Sequence, residues 1–167
     1  MRILFADKYP ELSVDKLKQK GHDCVLQPDL EADELDSVLG EYDVLVVRST
    51  QVTKKAIEAG KSLKMIIRAG AGTNTIDKDA AAARGIYVCN VPGRNAASVA
   101  ELAIGLLIAI DRNIPDNVLA LRQGNWNKKR FSVAAGLKGR RMGVVGLGAV
   151  GLEVLERAHA FGLELYV

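Results

Sequence analysis

At 167 residues, 49% of them apolar, the chain is long enough for one full domain or for one domain and part of a second. Its net charge of +3 is scattered except at Lys128, Lys129 and Arg130, a cluster without interleaved aromatics that reads as a solvated turn, so no nucleic-acid partner is expected. Purely apolar runs such as Leu106 to Ile110 fall far short of the ~20 residues that span a bilayer, and the opening MRILFADK lacks a signal peptide's apolar stretch. A cytoplasmic protein with no membrane partner is expected.

In chain order, short β-branched or apolar runs alternate with longer polar segments of helical spacing. The predicted strands are Ile3 to Ala6, Cys24 to Leu26, Val44 to Val47, Met65 to Ile67 and Tyr87 to Val91. Between them, Ser13 opens a helix ending near Gly21, Gly40 closes a weaker one, Thr53 opens one ending at Gly60, and Asp77 opens DKDAAAARG, ending at Gly85. Oxygen-bearing side chains satisfy free N–H groups at helix starts, and glycine accepts the left-handed turn at helix ends. Strands alternating with helices predict an α/β fold, a mostly parallel sheet of βα units. Cys24 and Cys89 lie in strand-like runs without CxxC spacing and are expected to be buried thiols; no metal-ligating constellation is seen.

The pattern changes at Asn90. A Pro/Gly loop leads to a capping box, Ser98 and Glu101, and a helix that is apolar on nearly all sides from Val99 to Ile110. Such a helix must be covered all round. Pro115 opens a short helix ending near Gly124, residues 125–140 read as an irregular connection, and a second βα unit follows: strand Arg141 to Val145, helix Ala149 to Ala160, strand Leu163 to Val167. Between that strand and helix, VVGLGAVG sets Gly146, Gly148 and Gly151 in G-x-G-x-x-G spacing. There the first glycine ends the strand, the second lets backbone approach a dinucleotide pyrophosphate, the third lets helix pack on strand, and the helix amino terminus offers free N–H groups. A tight turn without ligand is the alternative. The acid that binds the adenosine ribose belongs ~20 residues on, at the carboxyl end of the next strand. Glu164 lies at that strand's start, so the position is expected just beyond Val167.

On the substrate side, Arg48 and Arg68 each follow a predicted strand, which puts both at the carboxyl edge of a parallel sheet, where ligands of α/β folds collect. The guanidinium fork suits carboxylate and phosphate oxygens; a surface salt bridge is the alternative for each. Gly70-Ala71-Gly72 supplies unobstructed backbone N–H groups, an anion-binding nest. Asn74 and Asp77 read as turn and helix-cap residues.

The blocks VVRSTQVT (46–53), IIRAGAGTNTID (66–77), VCNVPGRNAASVAELAIGLLIA (88–109), QGNWNKKRF (123–131) and LKGRRMGVVGLGAVG (137–151) resemble, in order and spacing, the amino-terminal part of the NAD-dependent D-2-hydroxyacid dehydrogenases. The resemblance covers the whole chain. The Arg48-Ser49 element and the Gly-Asn-Trp turn before basic residues point to the branch that oxidises 3-phosphoglycerate for serine biosynthesis. It implies a flavodoxin-like substrate domain over residues 1–91 and the start of a Rossmann NAD-binding domain over 92–167. Arg48, Ser49, Arg68, Gly70, Ala71 and Gly72 would meet the substrate; Ala71, Gly146, Gly148, Ala149, Val150 and Gly151 would meet NAD. The helix from Ser98 to Ile110 would pack in a homodimer interface.

Two positions depart from the family pattern. Ala149-Val150 stands where relatives usually carry Arg-Ile, losing one guanidinium contact to the pyrophosphate, and Asn74-Thr75 stands where they often carry Asp-Asn. By the same resemblance, the arginine, glutamate and histidine of the chemistry lie in segments after Val167. His22 and His159 read as surface histidines, so no catalytic residue is assigned, and these residues alone are expected to be inactive. A glyoxylate, lactate or formate-type dehydrogenase, and a non-catalytic NAD-binding or interaction module, are the alternatives.

Overall fold

The computed structural model describes all 167 residues. The chain divides into two compact units, Met1–Pro92 and Gly93–Val167.

The first unit is built on five strands, β1 (Arg2–Phe5), β2 (Asp23–Leu26), β3 (Val44–Val47), β4 (Met65–Arg68) and β5 (Tyr87–Cys89). They pair in the order β2-β1-β3-β4-β5, and every pairing is parallel. Parallel strands need crossovers, and helices supply them: α1 (Glu11–Lys18), α2 (Leu35–Val38) with a 3-10 turn at Leu39–Glu41, α3 (Lys54–Ala59) and α4 (Lys78–Ala83). Side chains alternate across a strand, so each strand feeds two cores. Leu4, Leu45, Val47 and Ile66 point to one face and are fully buried with Leu35, Leu39, Ala56, Ile57 and Ala81 of the crossover segments. Ile3, Phe5, Val44 and Val46 point to the other, against Val14 of α1 and the buried Cys24.

The helix punctuation is largely as the residues predict. The Thr53 hydroxyl accepts from the Ala56 N–H at 3.3 Å and the Asp77 carboxylate from the Ala80 N–H at 3.0 Å, while Gly21 and Gly85 take positive φ after their helices. Arg84, just past α4, donates to the carbonyls of Ile57 and Gly60, satisfying the open end of α3. Three details differ. Helix α1 begins at Glu11 behind Pro10, so Ser13 lies inside its first turn; proline's fixed φ sets the entrance without a side-chain cap. Gly40 sits within the 3-10 turn instead of closing it. Cys89 is only half-buried, because β5 is the sheet's edge strand.

The second unit contains α5 (Ala96–Asp111), α6 (Ile114–Arg122), α7 (Lys128–Phe131), β6 (Arg141–Gly143), α8 (Ala149–Ala160) and β7 (Glu164–Tyr166). Strands β6 and β7 pair in parallel. Ile104 of α5, Ala158 of α8 and Leu163 form its small core. The predicted capping box at Ser98 does not form: α5 starts at Ala96, and Glu101 faces Arg157 of α8 at 3.4 Å. An ion pair to a neighbouring helix has taken the carboxylate. The connection expected to be irregular contains α7, one helical turn capped by the Asn127 side chain, so Lys128, Lys129 and Arg130 lie on an exposed turn of helix.

Helix α5 buries only Ala96, Ala100 and Ile104. Val99, Leu102, Leu106 and Ile110 are exposed, Leu102 at 63% and Ile110 at 75%. No helix is long and apolar enough to cross a membrane.

Candidate functional site

The predicted substrate residues lie along the carboxyl edge of the first unit's sheet, Arg48 and Ser49 in a cleft that Arg68 and Gly70–Gly72 do not line. In register, Val47 pairs with Arg68, so Arg48 leaves β3 one residue beyond the level at which Arg68 ends β4. Arg48 and Ser49 line an open cleft of about 460 Å³ together with Asp7, Lys8, Asp29, Glu31 and Thr50. Arg68 turns back over the following loop: its guanidinium occupies the space a Cβ on Gly70 would need, and its Nε is out of solvent without a partner.

The Gly70–Gly72 loop is fastened at both sides. The Ala69 N–H donates to the Val47 carbonyl at 2.8 Å, the Val91 N–H to the Gly70 carbonyl at 3.0 Å, and the Asn90 side-chain amide to the Ala71 carbonyl at 2.6 Å. None of these bonds uses the N–H of Ala71 or Gly72. Asn74 sets its side-chain oxygen beside Gly72, 3.1 Å from where a Cβ there would stand. Asp77 acts as a helix cap, in keeping with its reading from the sequence.

Two neighbours of Arg48 escape the sequence reading. Asp7 follows β1 and accepts hydrogen bonds from the backbone N–H groups of Arg48 at 2.6 Å, Ser49 at 3.2 Å and Thr50 at 3.3 Å. Tyr9 packs edge-on against Phe5 with its hydroxyl buried and unpartnered. Burial pushes the Tyr9 phenol up to about 12; the Asp7 charge adds to the rise, and Arg48 and Arg68 oppose it. The signal for Asp7 was available. It is the charged residue that follows the first predicted strand, and the edge rule that selects Arg48 and Arg68 selects it too.

In the second unit the glycine loop joins β6 to α8. Gly146 has φ +104°, a conformation glycine adopts freely, and Gly148 caps α8 without a side-chain bond. A Cβ on Gly151 would collide with the Gly146 carbonyl oxygen. The first turn of α8, which includes Ala149, Val150 and Gly151, presents N–H groups without helical acceptors. The cradle therefore fits a pyrophosphate: close backbone approach and free donors at the positive end of a helix. Glu164 opens β7, at the strand edge opposite this loop.

Neither histidine approaches these groups within its own unit. His22 precedes β2, at the edge where the strands begin, and is half-buried with its Nδ1 unpartnered, so it is not the plain surface histidine expected. His159 is exposed near the far end of α8, about 15 Å along the axis from Ala149. No group of three or more potential metal ligands occurs.

Residues 3–161 match the family described as D-isomer specific 2-hydroxyacid dehydrogenase, catalytic domain. Over 165 residues the chain is 48% identical to the hydroxypyruvate reductase of Thermotoga maritima, covering 98% of this chain and 54% of that protein. Over 166 residues it is 42% identical to the D-3-phosphoglycerate dehydrogenase of Methanocaldococcus jannaschii, covering 99% of this chain and 31% of that one. The crystal structure of the NAD-dependent formate dehydrogenase from Staphylococcus aureus in complex with NAD is similar with a TM-score of 0.88 at 27% identity, over 99% of this chain and 55% of that one. The chain spans about half the length of the first relative and about a third of the second.

Proposed function

The chain belongs to the D-isomer specific 2-hydroxyacid dehydrogenase family, and from that premise we propose that it forms the substrate-facing and NAD-facing part of an oxidoreductase acting on 3-phosphoglycerate. The observation that carries the reading is the pair of arginines, Arg48 and Arg68, at adjacent strand ends on one sheet edge. A guanidinium at each end of a short anionic substrate fixes its orientation, and the N–H groups of Ala71 and Gly72 complete the hold on a carboxylate. NAD, when bound, would supply the acceptor for the hydride that leaves the alcohol carbon. The residues of the second unit that would hold NAD are Gly146 and Gly148 in the glycine loop and Ala149, Val150 and Gly151 in the first turn of α8. Ala149 and Val150 add no side-chain charge, so the hold on the pyrophosphate is by backbone alone.

Proton transfer from the hydroxyl needs a group poised to accept it; His22 lies at the sheet edge opposite Arg48 and Arg68, and our reading assigns that role to no residue of this chain. The 167 residues incubated with NAD and 3-phosphoglycerate are expected to yield no NADH absorbance above a protein-free control. Steady NADH production at an enzyme-like rate overturns that part of the reading.

A second substrate has support from the cleft beside Arg48. Asp29 and Glu31 line it along with Lys8, and like charge disfavours a doubly charged phosphate there. A singly charged acid such as hydroxypyruvate meets less repulsion, in keeping with the name of the Thermotoga relative. Titrating 3-phosphoglycerate and hydroxypyruvate against the chain, with and without Arg48→Ala, separates the two. The phosphoglycerate reading requires tighter binding of the phosphorylated acid and its loss in the variant.

The uncovered apolar side of α5 supports a homodimer, with Val99, Leu102, Leu106 and Ile110 meeting their copies. A cytoplasmic location belongs to the same proposal.

A further inference from the structure

The amide groups that follow β3 are already occupied by an anion from the chain itself. Three successive N–H groups, those of Arg48, Ser49 and Thr50, converge on the Asp7 carboxylate, and the Thr50 hydroxyl donates to the Ala6 carbonyl at 3.0 Å. Successive N–H groups turned to one point form an anion-binding nest, and bonds to an ionised acceptor are shorter and stronger than neutral ones. The bond from the Arg48 N–H is the shortest of the set, at 2.6 Å. Asp7 thereby ties the end of β1 to the end of β3 across 41 residues of sequence, and it ties them at the backbone of Arg48. The Arg48 side chain is left free in the cleft, while its own amide and those of its two successors are spent.

We propose that Asp7 is a positioning residue for anion recognition by Arg48: its carboxylate fills the 48–50 nest, which fixes where the guanidinium starts and reserves those amides against the substrate's own anionic groups. The proposal rests on reading Arg48 as a substrate contact. A phosphate or carboxylate entering the cleft is then met by cationic side chains, the Arg48 guanidinium on its fixed base and Lys8, and not by these amides. Without Asp7 the same nest becomes a competing anion site that draws ligand away from Arg48.

The test follows the Ser49 and Thr50 amide signals and the Arg48 Nε–Hε signal of the 167-residue chain by nitrogen-15 NMR, with inorganic phosphate, 3-phosphoglycerate and sodium formate as titrants. In the unaltered chain, phosphate and 3-phosphoglycerate should move the Arg48 signal and leave the two amides in place. In Asp7→Ala, phosphate should move both amides at concentrations at least about tenfold below any effect in the unaltered chain, the scale of a charge-assisted bond to backbone. Formate, which matches the lost carboxylate, should return those amides to their original positions and restore the original response of Arg48. Asp7→Asn keeps the shape should Asp7→Ala unfold; its neutral acceptor should shift the Ser49 and Thr50 amides while the rest of the spectrum stays. The proposal is overturned if phosphate moves the amides of the unaltered chain as readily as Arg48, if neither variant shifts them, or if formate fails to restore Asp7→Ala. Arg48→Ala separates the two readings. Undiminished 3-phosphoglycerate binding in that variant removes Arg48 from the substrate site, whereas the formate response still decides whether Asp7 fills the nest.

Discussion

The carbonyl oxygen of Gly146 lies where a side chain on Gly151 would have to begin. The obstruction is backbone, held by the left-handed turn at Gly146, so it has no flexible end to swing aside. Gly151→Ala should push α8 away from the loop and cost about 1–3 kcal/mol, the range for overpacking a close contact. Urea unfolding monitored by circular dichroism measures it, and any NAD binding by the chain should fall with it. A variant as stable as the parent would mean that helix and loop separate freely.

Gly70 presents the opposite case. There the atoms that an added Cβ would meet belong to the guanidinium end of Arg68, which can rotate away. Gly70→Ala should therefore leave stability within about 0.5 kcal/mol while weakening 3-phosphoglycerate binding about tenfold through a displaced guanidinium. Calorimetric titration beside a thermal melt distinguishes this from a folding defect; equal losses in both would count against a binding role for Arg68.

At the other edge of the sheet, the Lys64 ammonium, 2.8 Å away, holds the Asp43 carboxyl below its ordinary value of 3.8, helped by the Arg2 backbone N–H at 2.9 Å. A pKa lower in the folded than in the unfolded chain contributes stability that is present above the unfolded value and disappears as pH falls through the folded one. The urea midpoint should thus drop as pH falls below about 4, and Asp43→Asn should make that drop shallower. An unchanged acid slope in the variant would show that the pair contributes nothing to folding.

Leu102 tests the uncovered side of α5. It is 63% exposed among Val99, Leu106 and Ile110, an apolar strip of the kind that marks an interface. The parent chain should sediment as a dimer at micromolar concentration and Leu102→Asp as a monomer, with little change in helix content. A parent that is strictly monomeric would rule out this face as a strong self-association surface.

What could be read from the residues in order was local. The runs VLVV and MIIR, the caps Thr53 and Asp77 and the left-handed glycines Gly21 and Gly85 each act over a few residues, and they led to the five parallel strands and most helix ends. The G-x-G-x-x-G spacing is equally local, and the contact that makes its third glycine necessary spans five positions. Parallel pairing itself puts every strand's carboxyl end on one edge, which is why the sequence alone places Arg48 and Arg68 on the same edge.

Tertiary structure decided the rest, because the deciding partners are distant in sequence. Ser98 and Glu101 have the spacing of a capping box, yet Arg157, 56 residues from Glu101, claims that carboxylate, and α5 extends back to Ala96. Asp7 carries no local sign that its acceptors will be used by the amides of residues 48–50. The cleft beside Arg48 gains Asp29 and Glu31 only because they follow β2, which lies across β1 from β3. A charge acts through space, so its partner is set by which strands lie side by side, and that order is a property of the packed sheet and not of any stretch of the chain.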